Sequence, residues 1–210
     1  MSLPQTHIEH SVEEYLALER ETEERHEYLD GQIYRMAGES QEHGAICMNL
    51  SRIISTQLLG KPCQAFSKDM KVRSGPTPQP GRTTRGLYSY PDLLVVCGEL
   101  TFHDASRDVL LNPKVIIEVL SPTTEAFDRS EKWVRYQTWL PELSHYLLVS
   151  QSKPQIEHFH RWVDGEWRYA LVNRIEESLH LHSIDCALQL ADTYDRIRFP
   201  FAATENLNEE

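Results

Sequence analysis

Two carboxylates stand where a carboxylate is expensive. Glu118 interrupts the run Val115-Ile116-Ile117-Glu118-Val119-Leu120, in which every other residue is apolar and β-prone. Asp92 follows Pro91 and immediately precedes Leu93-Leu94-Val95-Val96-Cys97. A lone carboxylate buried among such residues must be neutralised, hydrogen-bonded or bound to a metal. If the two strands are neighbours in a sheet, both acids converge at one end. Paired hard oxygen ligands, with water in the remaining positions, suit Mg2+ or Mn2+. Such an ion would polarise a phosphate and acidify a bound water, which is the chemistry of phosphodiester cleavage. Blander accounts stay open. Asp92 alone suits a turn after Pro91, and Glu118 suits an ion pair with an arginine or lysine of the next helix.

Other chemistry is weakly supported. His158-x-His160 and His180-x-His182 each put two imidazoles on one strand face, which can build a metal site. Neither pair has a third ligand at a recognisable spacing, so a solvated strand face is the expectation. Trp162, Trp167 and Tyr169 flank the turn Asp164-Gly165, and cross-strand packing accounts for them better than base stacking. Arg73, Arg82 and Arg85 border a loop rich in Pro and Gly, as a local basic patch or a charged loop. No glycine sequence matches a phosphate loop, and Ser121 lacks the setting of a hydrolase nucleophile.

These residues need elements to position them. Ser11 and Glu14 form a capping box for a helix over residues 11–25. Asp30-Gly31 separates two strand-like runs, a type I′ hairpin signal. Ser40 caps a second helix of about 18 residues, with Ile46, Leu50, Ile53, Ile54 and Leu58 at helical spacing, and Gly60-Lys61-Pro62 ends it. Short strands follow near residues 63–66 and 70–73. Residues 74–87 form a loop inside one domain, because the strand patterns on both sides look like parts of one sheet. The runs 93–97 and 114–120 are apolar on both faces, as expected for central strands covered on each side. A helix covers 128–140, strands cover 146–150, 155–162 and 167–172, and the remainder is weakly patterned. The pattern is that of an α/β protein with a single domain over 1–210.

Composition limits the function classes. Two-fifths of the 210 residues are hydrophobic and a quarter charged, which is ordinary for a globular chain. No apolar run reaches the roughly 18 residues needed to span a bilayer, and MSLPQTHIEHSVEEY has neither a basic start nor an apolar core of a secretory signal. Cys47, Cys63, Cys97 and Cys186 are scattered, and buried reduced thiols in a cytoplasmic protein are the expectation. The formal net charge of −11 argues against a strong nonspecific DNA binder. Acidic residues at the two ends, Glu205, Glu209 and Glu210 among them, supply much of the excess.

Four segments in order carry a family resemblance: HEYLDGQIYRMAG with His43 downstream, YPDLLVVC, PKVIIEVLSPTTEAFDRSEKWVRY, and LSHYLLVSQSKPQIEHFHR. Over residues 12–175 the chain resembles the Uma-two family, restriction-endonuclease-like proteins of the PD-(D/E)XK superfamily. The resemblance implies a central mixed β-sheet flanked by helices with additional hairpins, and Mg2+- or Mn2+-dependent endonuclease activity on nucleic acid, DNA above all. It also implies a homodimer. It makes Asp92 and Glu118 the two metal-binding acids, the Val119 carbonyl a third ligand, and Glu27 an additional acid. His43 matches a histidine after the hairpin. The sequence departs from the superfamily pattern at Leu120, where a lysine is wanted to stabilise charge developing on the phosphate. Lys132 is the candidate replacement, sharing one helix face with Asp128 and Tyr136; Lys68 and Lys71 are weaker ones. Without a lysine at the site, the alternative is an inactive member of the fold serving as a binding module.

Overall fold

A computed structural model describes residues 9–199. The first eight residues and the acidic end with Glu205, Glu209 and Glu210 lie outside them. Two mixed sheets and a separate hairpin organise the described residues. The first sheet has five strands in the order β2-β1-β5-β4-β7: β1 (His26–Leu29), β2 (Gln32–Arg35), β4 (Lys71–Ser74), β5 (Leu87–Ser89) and β7 (Val109–Leu110). The second has six in the order β11-β10-β9-β8-β6-β3: β3 (Cys63–Ser67), β6 (Leu93–Cys97), β8 (Val115–Leu120), β9 (His145–Ser150), β10 (Ile156–Arg161) and β11 (Trp167–Val172). β8 and β9 run parallel, and the other pairs of this sheet are antiparallel.

The expected neighbours are neighbours. β6 and β8 pair with Leu93 opposite Ile117, so the register carried one residue further sets Asp92 opposite Glu118. Both strands are covered on both faces, and alternation decides which side chain goes where. Leu93, Val95, Val115, Ile117 and Val119 pack with Ile46, Leu50 and Ile54 of α2 (Gln41–Gln57). Leu94, Val96, Ile116 and Leu120 pack with Tyr136 and Leu140 on the opposite face. Glu118 shares the parity of Ile116 and Leu120, which turns its carboxylate toward the second layer. α1 (Val12–Glu21) covers the five-stranded sheet through Val12, Tyr15 and Leu16, beside Tyr28 and Tyr88.

Turn chemistry matches the sequence where it was explicit. Ser11 and Glu14 make both bonds of the capping box, and Asp30 and Gly31 take φ of +49° and +94°, as a type I′ turn requires. The Pro/Gly loop joins β4 to β5, antiparallel partners in one sheet. At its neck a Cβ on Gly75 would lie 2.6 Å from the Gly86 Cα, so the two backbones pass closer than any side chain allows.

Several expectations are corrected. α1 stops at Glu21 rather than near Arg25, capped by Thr22 in an extended conformation. Sequence periodicity missed the three-residue β5 and the two-residue β7, and the six-stranded sheet does not absorb β4. The weakly patterned remainder contains a hairpin, β12 (Ser178–Leu181) and β13 (Cys186–Gln189), then α5 (Leu190–Thr193); its alternate residues Leu179, Leu181, Cys186 and Leu188 bury against α2. The helix expected over 128–140 begins earlier. It comprises α3 (Glu125–Phe127), a π-helical segment Asp128–Lys132 and α4 (Trp133–Trp139).

Cys63 and Cys97 are not reduced thiols: β3 and β6 hold them directly opposite one another, and they form a disulfide. Cys47 and Cys186 are free. His158 is not on a solvated face either. It lies buried against buried His145, with His145 Nδ1 2.7 Å from His158 Nε2, whereas His180 and His182 are exposed. The aromatic residues behave as packing. Trp133 stacks on Phe159 and meets Trp167 edge-on. No helix among the described residues is long and apolar enough to cross a membrane.

Candidate active site

The end of β8 meets four other elements at one place. Glu118, 3% exposed, points from the sheet toward the helix that follows, and three residues of that helix point back. Lys132 Nζ lies 3.2 Å from Glu118 Oε1, 3.0 Å from Asp128 Oδ1 and 3.3 Å from Glu27 Oε1. The Tyr136 hydroxyl contacts Glu118 Oε1 at 3.2 Å and Ser89 Oγ of β5 at 2.7 Å. Asp128, Lys132 and Tyr136 are all buried. The π-helical segment supplies two of the three, consistent with the way such wide turns redirect side chains at functional positions.

Asp92 occupies the other side. Its Oδ2 accepts from the Val119 N–H at 2.7 Å and lies 3.3 Å from His43 Nε2 in the first turn of α2. Ser40 caps that turn, accepting from the His43 N–H at 3.1 Å, which anchors the helix start against the sheet end. Glu27, on β1, accepts from the Tyr90 N–H at 3.2 Å. The two sheets therefore both contribute acids to a shared cluster: Glu27 from the first, Asp92 and Glu118 from the second.

The electrostatics are those of excess negative charge in a dry place. Burial raises the Glu118 carboxyl well above its ordinary range; Lys132 opposes this, while Asp128, Asp92 and Glu27 add to it. Burial works against the Lys132 ammonium too, but Glu118, Glu27 and Asp128 outweigh it and hold the lysine firmly charged. One ammonium thus serves three carboxylates. His43 is held above its usual value, because its bonds to Asp92 and Glu39 overcome the burial that would lower it.

The cluster opens into a cleft of about 1020 Å3, lined among others by Glu27, His43, Asp92, Glu118, Asp128 and Lys132. Its remaining cations are already engaged: Arg25 with Asp69, Arg35 with Glu24, and Lys68 with Glu39. All five residues singled out from the sequence, Glu27, His43, Asp92, Glu118 and Lys132, therefore come together. Val119 joins through its N–H. Lys71 does not. It is buried away from the cleft against Asp108 and the Tyr90 hydroxyl. Lys68 reaches the cleft only at Glu39. Sequence reasoning missed Ser89, which no spacing flags, and Glu39 and Cys47, which with His43 repeat at i, i+4, i+8 and were legible.

This constellation lies on segments that comparison with known proteins groups together. The model of the family Uma2, described as "Putative restriction endonuclease", matches residues 12–192. The chain belongs to the Uma2 family. It is 35% identical over 189 residues to the uncharacterized protein slr1290 of Synechocystis sp., covering 90% of this chain and 93% of that one. A second Synechocystis protein, sll1609, is 32% identical over 154 residues, 73% of this chain and 82% of the relative. The crystal structure of a putative nuclease belonging to DUF820 from Anabaena variabilis superposes with a TM-score of 0.69 over 88% of this chain and 97% of that one, at 16% identity. The mixed α/β architecture of this Uma2 protein is thus the fold of that Anabaena protein.

Proposed function

We propose that this Uma2 protein is a single-domain endonuclease that hydrolyses phosphodiester bonds in DNA with Mg2+ or Mn2+ held by Asp92, Glu118 and Glu27, the Val119 carbonyl completing the protein ligands. The observation that carries this reading is the three-to-one imbalance of carboxylates over Lys132: buried Glu118 and Asp128 and half-buried Glu27. Oxygen donors in excess negative charge fit a hard divalent cation. Held there, such an ion supplies Lewis acidity at the scissile phosphate and a bound water of lowered pKa.

The chain's own residues do the rest. The Val119 N–H and His43 Nε2 fix the Asp92 carboxylate in one orientation. Tyr136, itself bonded to Ser89, fixes Glu118. Lys132 takes the place of the lysine absent at Leu120 and places a permanent positive charge beside the reacting phosphate, where it counts most in the transition state. It reaches the position from a helix rather than from the strand.

Cleavage of supercoiled plasmid and labelled oligonucleotides should require Mn2+ or Mg2+ and vanish in Asp92→Asn. The same substitution should remove the rise in thermal midpoint that Mn2+ gives the wild type, since an ion bound only to the native state stabilises it. Cleavage that survives Asp92→Asn would sink the assignment. A second reading, a non-catalytic binding module of the same fold, is favoured by one observation: Arg25, Arg35 and Lys68 in the cleft are each paired with an acid. A Mn2+-dependent rise in midpoint without cleavage of any nucleic acid would decide for it.

The active form is proposed to be a homodimer, because cutting both strands of a duplex takes two sites or a repositioning. Sedimentation velocity at micromolar concentration should show the dimer, and monomer alone would overturn it. A cytoplasmic location, with nucleic acid at hand, belongs to the same reading, which makes Cys63–Cys97 one of the uncommon disulfides of a reducing compartment.

A further inference from the structure

We propose that the start of α2 carries a second metal site, for a borderline-soft divalent ion of the Zn2+ class, built from Glu39, His43 and Cys47. The candidate ligand atoms of these three residues all lie within 4.8 Å of one another. His43 Nδ1 is the hub, 3.3 Å from Glu39 Oε2 and 3.6 Å from Cys47 Sγ. Zinc bonds of about 2.0–2.1 Å to nitrogen and oxygen and about 2.3 Å to sulfur, at a tetrahedral angle, place N···O near 3.4 Å and N···S near 3.5 Å. The two spacings from His43 Nδ1 are those of ligands around one ion, and Glu39 and Cys47 lie within 4.8 Å of each other.

The other ring nitrogen is set up for the same task. His43 Nε2 faces Asp92 Oδ2 at 3.3 Å. A histidine that gives one N–H to a carboxylate presents the opposite nitrogen as a ligand, its orientation fixed and its basicity raised. Glu39 is likewise divided: Oε1 receives Lys68 at 2.7 Å, which leaves Oε2 for the ion. On binding, the ion would replace the Cys47 S–H bond with a sulfur–metal bond, the proton passing to solvent.

The donor set separates this site from the carboxylate cluster. Thiolate and imidazole select Zn2+, Co2+ or Fe2+, whereas Mg2+ prefers oxygen. The two positions lie on opposite nitrogens of His43 and are linked through Asp92, but this site does not depend on the nuclease reading.

Cobalt tests it directly, because a thiolate ligand gives Co2+ an intense charge-transfer absorption that oxygen ligands do not. The metal-stripped full chain, titrated with Co2+, should develop that band with one equivalent and lose it to Zn2+ but not to excess Mg2+. Glu118→Gln should leave the band unchanged. Cys47→Ser should abolish it, and Glu39→Gln, checked for folding by circular dichroism, should weaken Co2+ binding at least about tenfold. No thiolate band in the wild type, or a band that persists in Cys47→Ser, would overturn the proposal.

Discussion

Lys132→Met is expected to lower the unfolding free energy of the metal-free protein by about 3–5 kcal/mol, the usual cost of removing one partner from a buried ion pair. The side chain is 6% exposed and touches Glu27, Glu118 and Asp128. Methionine keeps the volume but leaves three carboxylates facing one another without a counter-charge. Two consequences follow from the sign of that repulsion. Mn2+ should stabilise the variant more than it stabilises the wild type, because the ion then supplies all of the compensation. Lowering the pH should also narrow the gap. Glu118 is already raised by burial; without Lys132 it rises further, and a carboxyl with a raised folded pKa stabilises the fold below its unfolded pKa and loses that contribution as pH rises. Denaturant midpoints at two pH values, with and without Mn2+, measure all three effects. Adding Glu118→Gln should restore part of the loss, since it removes one of the stranded charges. A loss below about 1 kcal/mol would mean that Lys132 is not the counter-ion of the cluster. Cleavage should fall as well even where Mn2+ restores the fold, because no fixed charge remains beside the phosphate.

Fold elements were legible where local chemistry was decisive. The Ser11 and Ser40 caps, the Asp30-Gly31 turn and the doubly apolar strands β6 and β8 each carry their own physical signal, and each forms where expected. Elements defined by their neighbours were not. β5 and β7 have three and two residues, too short for a period to declare itself. The β12–β13 hairpin buries alternate residues only because α2 lies across it. The Cys63–Cys97 disulfide depends on strand register, which a spacing of 34 residues does not reveal.

The site shows the same division. Glu118 announced itself, because an acid among β-branched residues demands a partner. Its partners lie 14 and 18 residues along the chain, at Lys132 and Tyr136, and the i, i+4, i+8 spacing places them on one face. Glu27 and His43 looked like ordinary surface residues, and only the family pattern singled them out. What makes them part of the cluster is the meeting of two sheets, and no local rule encodes that. His145 and His158 lie outside the cluster; their pairing across β9 and β10 needs the register His158 opposite Leu147, one that periodicity alone does not supply.

That histidine pair should make the protein sensitive to mild acid. Burial lowers both imidazoles to about 3; His160, His182, Lys114 and His180 add to the effect on His145, and His145, His160 and His182 add to it on His158. Ser183 N–H donates to His145 Nε2 at 3.3 Å, so His145 keeps its proton on Nδ1 and donates it to His158 Nε2 at 2.7 Å. Neither ring can take a second proton without breaking one of these bonds. The unfolded chain protonates both near their ordinary value of about 6.5, while the folded chain resists until about 3. Between those limits the unfolded state binds more protons, so stability is complete above about pH 6.5 and falls as pH drops toward 3. The pair together is worth on the order of 5 kcal/mol, after halving the full displacement for mutual coupling. His43 acts in the opposite direction, since its pKa is raised and its contribution fades only as pH rises. Most carboxylates titrate below about pH 5, but the raised Glu118 opposes the fall in the window from pH 6.5 to 5 and the lowered His103 and His160 add to it, so the comparison with a variant isolates the pair. Urea midpoints across that window should fall as pH drops, and His158→Gln, which keeps a hydrogen-bonding side chain but cannot be protonated, should flatten the slope by about one proton. A wild-type profile level from pH 6.5 to 5, or one that His158→Gln leaves unchanged, would show that the buried pair does not govern acid stability.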